Sequence, residues 1–226
     1  MCANFKPTQN ELWVSRTLGA TLPQTAHGHE VFPGQASPIA VANASGQVRT
    51  TLAKFGLVPG WTKSARDAQK IVRATYNART ETVADKPSYR AAWRKRQFAI
   101  ALVDEFYEPC WASGQAVRWG IKRIDGEPMG IASLWDEWTD PDSGEVVSSF
   151  SMLTVNADGH LVMRQFHRPE DEKRSVVVLE PGAFQSWLGA DITQARALIT
   201  QPIDGLLTAD PRPFPRAERA QKRLFR

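Results

Sequence analysis

An α+β fold built on a mostly antiparallel, strongly twisted β-sheet is what this sequence predicts. Three observations carry the prediction. Short apolar or alternating stretches, separated by turn signals, dominate the middle of the chain. Helix-like segments cluster near residue 10, over residues 65–95 and over residues 182–200. The chain has 226 residues, with 42% hydrophobic and 23% charged residues, which is enough to bury a core and too apolar for disorder.

Taken in order, residues 8–18 (TQNELWVSRTL) read as a helix, with Thr8 as N-cap and Glu11 completing a capping box. Residues 31–42 alternate loosely around Pro33 and Pro38, as a strand with bulges does. The stretch 49–61 (RTTLAKFGLVPGW) reads as a strand ending at the Pro59–Gly60 turn. Residues 63–89 look helical at both ends, around the polar centre NARTET at 77–82. The apolar run Phe98–Val103 predicts a buried strand. Two more strands, 116–124 and 130–138, flank Asp125–Gly126, and PDSG at 141–144 turns the chain into another at 145–155. Helices are expected at 181–188 and 191–201. The end of the chain, rich in proline and basic residues, reads as a loosely attached tail. One domain over 2–200, followed by a basic tail over 201–226, is the expected organisation.

Composition narrows function further. The formal charge of +4 suits a polyanionic partner without requiring one. Two cysteines, Cys2 and Cys110, cannot make a disulfide framework, and MCANFKPTQN lacks the apolar region of a signal peptide. No apolar run is long enough to span a membrane, so a cytoplasmic chain with free thiols is expected. There is no glycine-rich phosphate loop after a strand, and no paired Cys/His spacing for zinc. Neither a cofactor nor a metal is therefore expected.

Cys2 offers distinctive chemistry. Removing Met1 ahead of this small residue leaves an α-amine and a thiol on one residue, with reference pKa values of about 8 and about 8.5. Both are then partly nucleophilic near neutral pH. Such a 1,2-aminothiol captures an aldehyde twice: the amine forms a Schiff base, and the thiol then closes a five-membered thiazolidine. On position alone, Cys2 is equally a small residue that happens to come second.

Seven segments in order extend that reading: MCANF at the start, FGLVPGW (55–61), NARTET (77–82), EFYEP (105–109), IASLWDEW (131–138), SFSMLTVNAD (149–158) and FHRPEDEKRSVVVL (166–179). Together, over roughly residues 2–190, they resemble the SRAP family, the SOS-response-associated peptidases that process abasic sites. The resemblance implies a single α+β domain with a partly barrel-like sheet flanked by helices. It implies a thiazolidine crosslink between the N-terminal cysteine and the ring-opened sugar of an abasic site in single-stranded DNA, shielding the lesion during the damage response.

Carried over by position, Cys2 matches the nucleophile, and Asn77 the asparagine that positions the amine and the lesion. Glu108 matches the glutamate that moves protons beside the sugar, and His167 the histidine that helps open the sugar or reverse the link. His160, in a turn-like ADGHL, is the competing histidine, and Glu105 the competing carboxylate, expected to be exposed. Arg79 corresponds to a phosphate contact, Trp61 to a stacking or wedging aromatic, and Pro33 to a loop near the lesion. Without the resemblance, Asn77 reads as a turn residue, Arg79 as a solvated arginine and Trp61 as a core tryptophan. Glu81 is placed to orient Arg79 or to cap a helix, and Cys110 reads as a structural thiol.

The chain departs from the pattern in four places. Asn4 stands where a basic residue is common, Phe55 replaces a tryptophan, EFYEPC replaces GFYEW and so puts Cys110 two residues from Glu108, and an acidic loop precedes Arg174. The resemblance implies a monomer, nucleoid-associated, acting on single-stranded DNA with no membrane partner. Two other functions fit the same residues: a thiol peptidase with Cys2 as nucleophile, and a non-catalytic single-strand binder whose affinity falls with salt and survives loss of Cys2.

Overall fold

The apolar run at Phe98 is the start of the longest strand in the protein. In the computed structural model, which describes residues 2–24 and 28–214, that strand runs from Phe98 to Cys110. In chain order the elements are β1 (Asn4–Pro7), α1 (Glu11–Leu18), β2 (Ala36–Ala42), β3 (Val48–Phe55), α2 (Ala65–Ile71), β4 (Asn77–Arg79), α3 (Arg90–Arg94) and β5 (Phe98–Cys110). There follow β6 (Val117–Arg123), β7 (Met129–Thr139), β8 (Val146–Asn156), β9 (Arg174–Val176), β10 (Val178–Leu179), α4 (Phe184–Leu188), α5 (Ile192–Leu198) and β11 (Leu207–Pro211).

Five strands close a ring: β5 pairs with β7, β7 with β8, β8 with β3, β3 with β2, and β2 with β5. All these pairings are antiparallel except β3–β8. The α+β, barrel-like expectation therefore holds. The remaining strands hang on the ring. β1 and β6 take the second half of β5, β11 takes β6, β4 and β9 take β8, and β10 takes β7.

β5 explains its own sequence. Phe98, Ile100 and Leu102 join a core shared with Trp13, Trp93, Phe184 and Trp187 under the helices. The alternate residues Ala99, Ala101 and Val103 face a second core containing Phe5, Phe55, Phe106, Phe150 and Phe166. A strand buried on both faces reads as a continuous apolar run rather than an alternating one. Beyond Val103, β5 leaves β7 and pairs instead with β1 and β6, which brings Tyr107 and Glu108 next to the chain start.

Several expectations change. The first helix starts later than predicted, and Asn10, not Thr8, caps it by accepting the Trp13 amide. Thr8 instead accepts the Asn10 amide one step upstream. The span 63–89 is not mainly helix: NARTET opens as β4, parallel to β8, because Asn77–Arg79 line up with Met152–Thr154. Strand 31–42 reduces to Ala36–Ala42, with Val31 making only an isolated bridge to Phe5. β6 and β7 do flank Asp125–Gly126, yet they are not partners, since each lies against β5. The boundary at residue 200 also moves. Leu207–Pro211 adds to β6 with Leu207 buried, so the sheet extends past that point. The rest of the expected tail, 215–226, lies outside the described residues.

Candidate active site

Three separate elements meet at Cys2. β1 is held antiparallel to β5, with Asn4 opposite Tyr107, and this brings the chain start beside Glu108. β4 delivers Asn77, whose Nδ2 donates to the Cys2 carbonyl at 2.8 Å. The Asn77 carbonyl in turn accepts from the Tyr89 hydroxyl at 2.9 Å. Asn77 Oδ1 is buried and accepts no hydrogen bond among the described residues. A buried acceptor of that kind normally has a partner. Cys2 itself is fully buried, with Sγ donating to the Asn4 carbonyl at 3.4 Å.

Glu108 is buried on β5, and its Oε2 lies 3.6 Å from His167 Nδ1. His167 Nε2 is 3.2 Å from the Arg174 carbonyl. A carbonyl only accepts, so that contact puts the ring proton on Nε2 and turns Nδ1 toward the carboxylate. A proton placed between Glu108 and His167 then serves both. His167 has φ of 63°, the left-handed region that non-glycine residues rarely occupy. Its amide donates to the Pro109 carbonyl at 2.9 Å, which holds the ring against β5 despite that conformation. Burial pushes the imidazole below its ordinary value, opposed by the Glu108 carboxylate.

The thiol differs from expectation. Burial, and then the nearby Glu108 carboxylate, push the Cys2 thiol well above its ordinary value, so it is not partly ionised near neutral pH. The Tyr76 phenol is likewise raised by burial, and next by Cys2 and Glu108, which places this unanticipated ring in the same cluster. Tyr76 also packs edge-on against Phe55, at 5.6 Å between centroids. Its position directly before Asn77 was the one available sequence signal.

Beside His167 lies a surface depression lined by Arg79, Asp171, Glu172 and Arg174. Arg174 is buried yet charged. Its Nη2 lies 2.9 Å from Glu81 Oε2 and donates to the Thr154 carbonyl at 2.7 Å, and its Nη1 lies 2.7 Å from Glu172 Oε1. Glu81 thus pairs with Arg174 and neither orients Arg79 nor caps a helix. Arg79 is half-exposed and pairs with the other Glu172 oxygen at 2.7 Å.

Other expected residues stand apart from this cluster. Trp61 is 55% exposed, its indole N–H donating to the Pro87 carbonyl. Pro33 lines a different cleft, with Lys54, Arg73 and Trp138. His160 is buried rather than on a surface turn, and its Nδ1 accepts the Val162 and Met163 amides. Glu105 is largely buried, paired with Arg212 and hydrogen-bonded by the Tyr107 hydroxyl. Cys110 is buried in the second core. Among the described residues, no three His, Cys, Asp or Glu side chains gather as a metal site, and no helix is long and apolar enough to cross a membrane.

Fold and site define a class: α+β proteins in which a twisted barrel holds a cysteine at the chain start against an asparagine, a glutamate and a histidine. A profile of the SOS response associated peptidase (SRAP) family matches residues 1–211, and the chain belongs to that family. Among curated relatives, the abasic site processing protein HMCES of Rattus norvegicus is 28% identical over 181 residues, covering 68% of this chain and 49% of the relative. The chain thus spans about half the length of that relative. The abasic site processing protein YoqW of Bacillus subtilis is 24% identical, covering 78% of this chain and 74% of the relative. An X-ray structure of a protein from Bordetella bronchiseptica superposes with a TM-score of 0.87 at 30% identity, covering 94% of this chain and all of the other. A second, from Bacteroides thetaiotaomicron, shares the fold with a TM-score of 0.78 at 20% identity, covering 93% of this chain and 91% of that one.

Proposed function

We propose that this chain bonds covalently to abasic sites in single-stranded DNA through Cys2, made N-terminal by removal of Met1. The observation that carries the reading is the meeting of Cys2 with the Asn77 amide and the Glu108–His167 pair. The printed names of the relatives, abasic site processing proteins, support it.

The α-amine attacks the aldehyde of the ring-opened sugar and loses water to form an imine. Sγ then adds to the imine carbon, its proton ends on the nitrogen, and a thiazolidine closes. With the thiol held protonated at neutral pH, the amine acts first and the sulfur needs a base close by. Glu108 supplies that base and passes the proton on to the nitrogen, while His167 gives a separate proton to the ring oxygen as the sugar opens. The unpartnered Asn77 Oδ1 accepts from the amine or from the lesion. Arg79 contacts a phosphate, while Trp61 and Pro33 line the path of the strand.

The test is a denaturing gel of the Met1-free protein with single-stranded DNA carrying one abasic site. Wild type gives a shifted band that survives boiling in detergent. Cys2→Ala gives a band only after borohydride reduction, since its amine still forms a Schiff base. An equally stable band from Cys2→Ala without reduction would falsify the thiazolidine. Glu108→Gln slows band formation by about a hundredfold, the ordinary scale of a lost acid–base group.

A further inference from the structure

The acidic loop before β9 places a carboxylate where an anionic ligand belongs. Glu172 Oε2 lies 2.7 Å from Arg79 Nη1, and Oε1 lies 2.7 Å from Arg174 Nη1. Asn156 Nδ2 adds a third donor to Oε1 at 3.2 Å. Two guanidiniums and an amide converging on two oxygens form a pattern that also suits the two non-bridging oxygens of a phosphodiester. The floor of this subsite is built rather than incidental, because Arg174 is 2% exposed and fixed by Glu81 and Thr154. Glu172, in contrast, has a side chain 36% exposed, on a surface loop. If Glu172 leaves, Arg174 keeps Glu81 as its counter-charge, while Arg79 is freed. The depression here also borders His167.

We propose that Glu172 is an internal competitor for a backbone phosphate of single-stranded DNA. It occupies the Arg79–Arg174 subsite until the strand displaces it, and so sets the affinity and salt sensitivity of this chain. The inference rests on DNA being the ligand, as proposed above. Displacement breaks two ion pairs and makes two of the same kind, so the carboxylate raises the threshold for binding without closing the site.

The test uses a fluorescent single-stranded oligonucleotide with no abasic site, its binding followed by anisotropy across a salt series. Glu172→Gln binds several-fold tighter than wild type at low salt. Its plot of log affinity against log salt steepens by up to about 0.7, because in wild type the displaced carboxylate takes up a cation that offsets the one released from the phosphate. Asp171→Asn makes the same change in net charge, and among the described residues Asp171 pairs with neither arginine, so its affinity stays within about twofold of wild type. Adding Arg79→Gln to Glu172→Gln removes the gain. Thermal melting checks folding. Should Glu172→Gln melt early, Glu172→Asp, too short to bridge both arginines, replaces it with the same expected direction.

No gain in either Glu172 variant, or an equal gain from Asp171→Asn, overturns the proposal. Inorganic phosphate that abolishes the Glu172→Gln gain at ionic strength matched with chloride also overturns it, by making free phosphate the ligand. Because this oligonucleotide has no lesion, the result does not pass through Cys2. A wild type that binds as expected but never crosslinks sinks the proposed function and spares Glu172, and the opposite pair of results sinks only the Glu172 competitor.

Discussion

His167 is the side chain whose backbone and acidity both depart from the ordinary. Its left-handed backbone costs about 1 kcal/mol, recovered through the bond from its own amide to the Pro109 carbonyl and the ring's two neighbours. Its imidazole is held low by burial, so the folded chain binds that proton less readily than the unfolded one. Below about pH 6.5 the unfolded chain takes up a proton that the folded site resists, and stability falls as the solution becomes more acidic. His167→Gln should flatten that part of the profile, as measured by urea unfolding between about pH 5 and pH 7. An unchanged slope would assign the acid sensitivity to other groups. Cys2 shows a limit of reading chemistry from residue type. Its identity announced a nucleophile, but the acidity of the thiol depends on burial and on Glu108, which lies 106 positions away in the chain (108 − 2).

Short elements carry the site, and they were the hardest to read. β4 has three residues, and parallel pairing with β8 stabilises it rather than any β-propensity of Asn-Ala-Arg. Helical periodicity in the flanks, which does form α2 and α3, masked it. β5, by contrast, was plain, because burial on both faces left an unbroken apolar run. The FGLVPGW segment has a local reason at Gly56. Its φ is 109°, and a Cβ there would stand 2.3 Å from the Val72 carbonyl oxygen. Gly56→Ala should therefore destabilise the protein by about 2–4 kcal/mol, clash and backbone strain combined. Chemical denaturation reads this directly, and a loss under about 1 kcal/mol would mean that the end of α2 can shift away.

At the scale of the whole chain, fold class was legible because it depends on pattern, while ring closure was not. Closure needs β3 beside β8, some hundred residues later, a parallel contact with no local signature. The last strand lacks a local signature for a similar reason. Prolines and basic residues near the end resemble a tail, yet β11 lies at the sheet edge on β6, where a proline is tolerated. Chain ends usually fray. Here the opposite holds at the start, where β1 is laddered to β5 and Cys2 is enclosed. An aminopeptidase needs several extended residues in its cleft, and Asn4–Pro7 are laddered into the sheet once the barrel has formed. On the proposed function, maturation must therefore precede folding, while the start of the chain is still loose. Native protein that retains Met1 should keep it through incubation with methionine aminopeptidase, whereas the same chain in urea-loosened form should lose 131 Da, about one methionine residue, by intact mass. A cell that folds this protein too early would hold a permanently silent pool, set apart by the order of two events rather than by any difference in sequence.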